Sequence, residues 1–191
     1  AGWTIGPGWT LWNDCSALGP TTSTTTPTLA SGVTAGTSPN GSPFATSVNS
    51  YYWTAGASVP PYYYLSVPGS SAFAFSTGDF TVEWFQYQTD TNSFPRYFWY
   101  GTSPSIGMSM EGASYTAYIW GSSPTSIGTQ TTNRNAWIHY AVVRISGSVK
   151  LYRNGAQAGS TTSWANNITD TTSTMYFGSK AGSGQIGRAH V

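Results

Sequence analysis

The chain has 191 residues, of which 7 % are charged and 16 % aromatic, and its formal net charge is +1 at pH 7. Seven Lys and Arg against six Asp and Glu leave no basic field for a phosphate backbone or an anionic bilayer, so nucleic acid and membrane-surface partners are excluded. Nine Trp, thirteen Tyr and eight Phe supply enough apolar surface to exclude a disordered chain, and the length suits one domain.

A charged fraction far below the roughly 25 % of soluble proteins also argues against the surface of a cytosolic enzyme. Cys15 stands alone, so neither an intrachain disulfide nor a cysteine-rich metal site can form. No run of apolar residues reaches the length of a spanning helix, so membrane insertion is not expected. Ala1 is followed by neither a charged nor an apolar leader stretch, which reads as a chain that begins inside its gene.

In chain order, residues 1–41 hold "GWTIGPGWTLW" and a Thr-rich run, read as a strand or two and a loose connector that can form part of the main domain. Residues 42–185 read as that domain, predominantly β, because Pro and Gly interrupt the chain often and β-branched and aromatic residues fill the gaps. "YYYLSVP" (62–68) predicts a short strand ended by Pro68-Gly69. "DFTVEWFQYQ" (79–88) alternates, with Phe80, Val82 and Trp84 on one side and Thr81, Glu83, Phe85 and Tyr87 on the other. Rings on both sides predict a central strand covered on both faces. "RYFWYG" (96–101), "SIGMSME" (105–111) and "YTAYIWG" (115–121) follow at the spacing of a β-sandwich.

The segment "WIHYAVVRISGSVKLYRNG" gathers His139, Arg144, Lys150 and Arg153. It predicts two strands, 137–145 and 148–153, joined at Ser146-Gly147, with Asn154-Gly155 turning into "AQAGST". "STMYFGS" (173–179) is the last strand. The end, "IGRAHV" (186–191), is what ATC GGA AGA GCA CAC GTC encodes, the start of a common short-read sequencing adapter. It is read as adapter sequence on a metagenomic fragment, which denies His190 and Arg188 a function.

The order "YLSVPGSSAFAFSTGDFTVEWFQY", "WIHYAVVRISGSVKLYRNGAQAGS", "STMYFGS" resembles the laminin-G-like, concanavalin A-like jelly-roll domains over about three fifths of the chain. The resemblance implies an all-β sandwich of two curved antiparallel sheets, in versions found in secreted bacterial proteins and in phage or algal-virus structural proteins. Its closing strand, of the form G-x-I-x-x-V/L-R-I after Ser179, is missing, so a neighbouring strand edge is expected to be unpaired. In that family the W-x-H-x-A-x-x-R strand is a structural signature, with Trp137 and alternating small residues packed inward and His139 structural.

Jelly-roll hydrolases carry a pattern like E-x-D-x-x-E, because glycoside cleavage needs two carboxyl groups. Here Glu83 is followed by Trp84, Phe85 and Gln86, and the acids Asp14, Asp79, Glu83, Asp90, Glu111 and Asp170 include no i, i+2 pair. Catalysis is therefore not expected, and Glu83 should find an Arg or a backbone donor. Only His139 could build a triad, and no serine sits on a Gly-x-Ser-x-Gly elbow. Arg144, Lys150 and Arg153 are read as solvated or as cross-strand partners.

Calcium is the resembled family's recurring ion, and Asp79, Asp90 and Asp170 are the weak candidates for it. Trp99, Trp120, Tyr97, Tyr115 and Tyr118 are the candidate sugar-stacking rings, although a sandwich core also absorbs many rings. Asn167-Ile168-Thr169 forms an N-glycosylation sequon.

The expected function is non-catalytic recognition of glycan or a cell-surface protein, outside the cell or on a virion. A purely structural capsid, tail-fibre or adhesin domain, docked on other domains or subunits, is the alternative, and a jelly-roll glycoside hydrolase comes third.

Overall fold

In the computed structural model the period-2 alternation of apolar side chains resolves into two stacked antiparallel sheets. The structure describes residues 28–29, 33–37, 49–53, 64–89, 96–101, 106–111, 116–129, 134–178 and 189–190. Strands β1 (Thr28–Leu29), β2 (Val33–Thr37), β3 (Asn49–Trp53) and β4 (Leu65–Val67) precede a short 3₁₀ turn, Ser71–Phe73. Then come β5 (Phe80–Gln88), β6 (Arg96–Tyr100), β7 (Ile106–Glu111), β8 (Thr116–Trp120) and β9 (Pro124–Thr129). The chain continues with β10 (Trp137–Ile145), β11 (Ser148–Arg153), β12 (Ala156–Gln157), β13 (Thr162–Ser163), β14 (Met175–Phe177) and β15 (Ala189–His190).

One sheet has seven strands in the order β1-β4-β14-β6-β7-β8-β9. The other runs β12-β11-β10-β5-β15-β3-β2, with β13 also paired to β11. Between them lies a core to which Phe80, Trp84, Ile138, Tyr140, Val142, Val149 and Leu151 contribute from one sheet, and Phe98, Tyr100, Ile106, Met108 and Ile119 from the other. Each such aliphatic or Phe side chain stabilises the fold by roughly 1.5–3 kcal/mol. Among the described residues no helix is long and apolar enough to cross a membrane.

The predicted hairpin stands at residues 137–145 and 148–153. Ser146 and Gly147 have φ of 49° and 73°, and Asn154 and Gly155 have 48° and 80°, so both turns use two residues of positive φ as a type I′ turn requires. The Asp79 carboxylate accepts the Ser146 N–H at 2.8 Å and ties the first turn to the start of β5.

Four readings change. Strand β5 is central, but Thr81 and Glu83 are exposed on its outward side, so it is covered on one face only. Trp137 is outward too: the inward set of β10 is Ile138, Tyr140, Val142 and Arg144, and Trp137, at the opposite parity, meets Tyr87.

Arg144 is not solvated. It is 1 % exposed, and its guanidinium donates to the carbonyls of Gly78 (2.6 Å), Asn166 (2.7 Å), Ser76 (2.8 Å) and Phe75 (3.4 Å). The Phe80 and Trp164 rings lie 4.9 and 5.2 Å from it. Burial pushes its pKa below the ordinary guanidinium value, with Asp79 opposing.

Finally, where an unpaired strand edge is expected beside the missing closing strand, β15 lies against β5, through Ala189↔Gln88 and His190↔Tyr87, and joins it to β3.

Candidate functional site

Residues 80–87 of β5 and 137–144 of β10 pair antiparallel, so outward side chains line up in rungs across the two strands. Tyr87 faces Trp137, with ring centroids 5.6 Å apart at 65°. Phe85 faces His139 at 4.7 Å and 39°. The third rung holds Glu83, Ala141 and, from β11, Tyr152. Four residues along a strand make the row about 13 Å long, the reach of a short oligosaccharide. Tyr87, Trp137, Phe85, His139 and Tyr152 are all half-buried on this outward side of the sheet.

Glu83 and His139 are diagonal neighbours, and His139 Nε2 lies 3.2 Å from Glu83 Oε2 with side chains 25 % and 32 % exposed. An ionised carboxylate only accepts, so this nitrogen carries the proton. The expectation that Glu83 pairs with an Arg or a backbone donor is replaced by this imidazole.

The backbone of His139 is pinned as well. Its N–H donates to Asn154 Oδ1 and its carbonyl accepts the Asn154 N–H, both at 2.9 Å. The type I′ turn thereby fixes the ring against Phe85. Rigid rings beside a fixed acceptor and donor can stack on sugar C–H faces while hydroxyls take directed bonds.

The rings singled out from the sequence fall elsewhere. Tyr97 is 7 % exposed and belongs to the core, 5.5 Å from Trp84 and 5.9 Å from Tyr140, so it is no platform. A register shift between Arg96 and Phe98 is the reason, since it turns both Tyr97 and Phe98 inward.

Trp99 lies on the other side of β6, outside the core cluster and in register with Gly107 and then Trp120. It is only 5 % exposed and packs on Trp120 at 5.3 Å, with its Nε1 donating to the Gly101 carbonyl at 3.2 Å. Gly107 admits this ring, because a Cβ there would meet Trp99 at 2.6 Å. Trp120 Nε1 donates to Ser109 Oγ at 2.9 Å, and Tyr118, half-buried, is the register partner of that serine. The structure therefore brings Trp99, Trp120 and Tyr118 to the outward side of the seven-stranded sheet, but Trp99 is too covered to present a face. Tyr115 lies outside the described residues.

A family model described as the concanavalin A-like lectin/glucanases superfamily, of laminin-G type, matches residues 60–189. The chain belongs to this superfamily. Among curated proteins none matches it. Its fold is similar to that of domain 4 of AbnA, a GH43 extracellular arabinanase from Geobacillus stearothermophilus solved in complex with arabinotriose. That likeness has a TM-score of 0.63 and 13 % identity, and covers 93 % of this chain and 87 % of the other. It also resembles the carbohydrate esterase vb_24B_21 from the Shiga toxin-encoding bacteriophage phi24B, with a TM-score of 0.52, 9 % identity and coverage of 86 % and 88 %.

Among the described residues of this concanavalin A-like domain the acids do not gather into a calcium cage, which takes six to eight oxygen ligands. Asp79 serves the Ser146 turn. Asp170 accepts the Thr172 and Ser173 N–H groups at 2.9 and 2.8 Å and the Ser173 hydroxyl at 2.6 Å, so it organises its own turn. Among the described residues no three His, Cys, Asp or Glu come together, and Asp90 lies outside them.

Alternation along β5 places Thr81, Glu83, Phe85 and Tyr87 on one side from sequence, but that this side faces outward is shown only by the structure. Their partners on β10 were legible only through the register, which pairs Phe85 with His139.

Proposed function

We propose that this domain binds carbohydrate, holding a neutral oligosaccharide along the outward face of its eight-stranded sheet. The observation that carries the reading is the contiguous row of Tyr87/Trp137 and Phe85/His139 with Glu83 beside it. Two ring rungs offer stacking, and Glu83 offers an acceptor to sugar hydroxyls while His139 holds it in place. The arabinanase domain solved with arabinotriose supports the ligand class, since this chain is similar to it in fold. The setting that goes with the reading is an extracellular or virion-surface protein, with this module delivering its neighbours to a glycan.

The reading is binding without hydrolysis. Glycoside cleavage needs two carboxyl groups about 5–9.5 Å apart. Asp79, four residues from Glu83 along the strand, stands about 13 Å away at strand spacing and is engaged with Ser146.

Calorimetric titration with arabinotriose and a panel of neutral, acidic and amino-sugar oligosaccharides tests the proposal. Saturable binding of a neutral member, lost in Tyr87→Ala, supports it. A flat response across the panel would overturn it in favour of a purely structural domain.

A further inference from the structure

We infer that Asn167 is an attachment site for an N-linked glycan. Asn167-Ile168-Thr169 is a sequon, and the structure displays it in the form the modification needs. Ile168 is fully buried and bridges to Ser76, donating to the Ser76 carbonyl at 3.1 Å and accepting its N–H at 2.7 Å. With the middle residue anchored, Asn167 and Thr169 are both exposed.

The Asn167 Oδ1 accepts the Ser76 hydroxyl at 3.1 Å, which orients the amide. Its Nδ2 donates to no described residue, so a sugar there displaces no hydrogen bond. The adjacent Asn166 is the opposite case. It is half-buried, its Oδ1 accepts the Ser122 N–H and hydroxyl at 3.1 and 3.3 Å, and its amide fills the space above Gly121.

Arg144 holds the Asn166 carbonyl at 2.7 Å, so the loop under the sequon is rigid. Arg144 pairs in register with Phe80, and Tyr87 lies seven residues further along the same strand, about 23 Å away. A glycan on Asn167 therefore projects from the far end of the strand pair and leaves the ring row clear.

The donor is an oligosaccharide linked to a lipid diphosphate. The Asn167 Nδ2 forms a bond to the anomeric carbon as the carbon–oxygen bond to the diphosphate breaks. The lipid diphosphate leaves with the electron pair, and one amide proton passes to a transferase base.

The test expresses the full chain behind a cleavable secretion leader in yeast, and reads intact mass on total immunoprecipitated protein before and after glycan removal by an amidase. Reading total protein keeps a variant that stalls inside the cell in the measurement. A second sequon, Asn40-Gly41-Ser42, requires its own arm. The expected result is one enzyme-removable increment that disappears in Asn167→Gln, disappears in Thr169→Ala, where the Ser76 bond is intact, and persists in Asn40→Gln. An increment that survives both Asn167→Gln and Thr169→Ala, or no increment at all, would overturn the assignment.

Discussion

Replacing Arg144 by Met keeps an unbranched apolar stem but ends it short of the guanidinium, and removes the charge and the donors. The guanidinium makes three bonds of 2.6 to 2.8 Å and one of 3.4 Å, all to backbone carbonyls of residues 75–78 and 166. A hydrogen bond from a charged donor contributes about 1.5–3 kcal/mol. Two nearby rings add about 0.5–2 kcal/mol each. The desolvation that depresses the pKa of Arg144 offsets part of this total.

Each buried carbonyl left unpaired costs about 1–3 kcal/mol, offset in part by the desolvation no longer required, so we expect a net loss near 4 kcal/mol. In a domain of this size each kcal/mol lowers Tm by about 2–4 °C, which gives a drop of roughly 8–16 °C. Lys at the position retains the charge but not the planar fork that reaches several carbonyls at once, and should fall between Met and wild type. Urea unfolding followed by Trp fluorescence reads both variants. A Met variant within 1 kcal/mol of wild type at unchanged m would refute the reasoning, because it would mean that the carbonyls find other partners at no cost.

Other consequences can be read from the same structure. Burial, with Asp170 adding to it, pushes the pKa of Tyr100 up to about 12, while the unfolded chain titrates near 10. Folded protein then holds more protons than unfolded protein between these values, so stability should fall as pH rises from 10 to about 12. Tyr100→Phe should flatten that fall, and should cost about 1 kcal/mol at neutral pH for the lost bond to the Asp170 carbonyl. An unchanged slope in urea titrations at pH 10 to 12 would contradict the assignment.

Two turn glycines should respond differently to Ala. Gly159 has φ +98° and its Cβ would collide with the Ile127 carbonyl, whereas Gly147 has φ +73° with nothing near. We expect Gly147→Ala to cost about 1 kcal/mol and Gly159→Ala at least twice that, and equal losses in urea unfolding would count against it.

Much of the fold can be read along the chain because its strands are bounded by Gly, Pro and Asn. The hairpin 137–153 is the clearest case, since Ser-Gly and Asn-Gly must supply positive φ at both turns. Strand β9 escapes that reading, because "PTSIGT" holds one inward apolar residue, Ile127, and too little alternation to mark it.

The site was less legible. Alternation puts Arg144 on the side of Ile138, Tyr140 and Val142, but charge argues for solvent, and only the converging carbonyls decide. Tyr97 turns inward through a register shift that leaves no mark on local composition. Trp137, read inward from the family's pattern, obeys the parity of its own strand instead.

The central claim is that the outward face of the eight-stranded sheet, and not that of the seven-stranded sheet, holds the ligand. The most direct test compares Trp137→Ala with Trp120→Ala in titrations against whichever panel oligosaccharide wild type binds, with matched melting curves for both variants. The account predicts that Trp137→Ala weakens binding about tenfold or more, a loss of about 1.4 kcal/mol, while Trp120→Ala stays within twofold. Loss of binding in Trp120→Ala with retention in Trp137→Ala would contradict it.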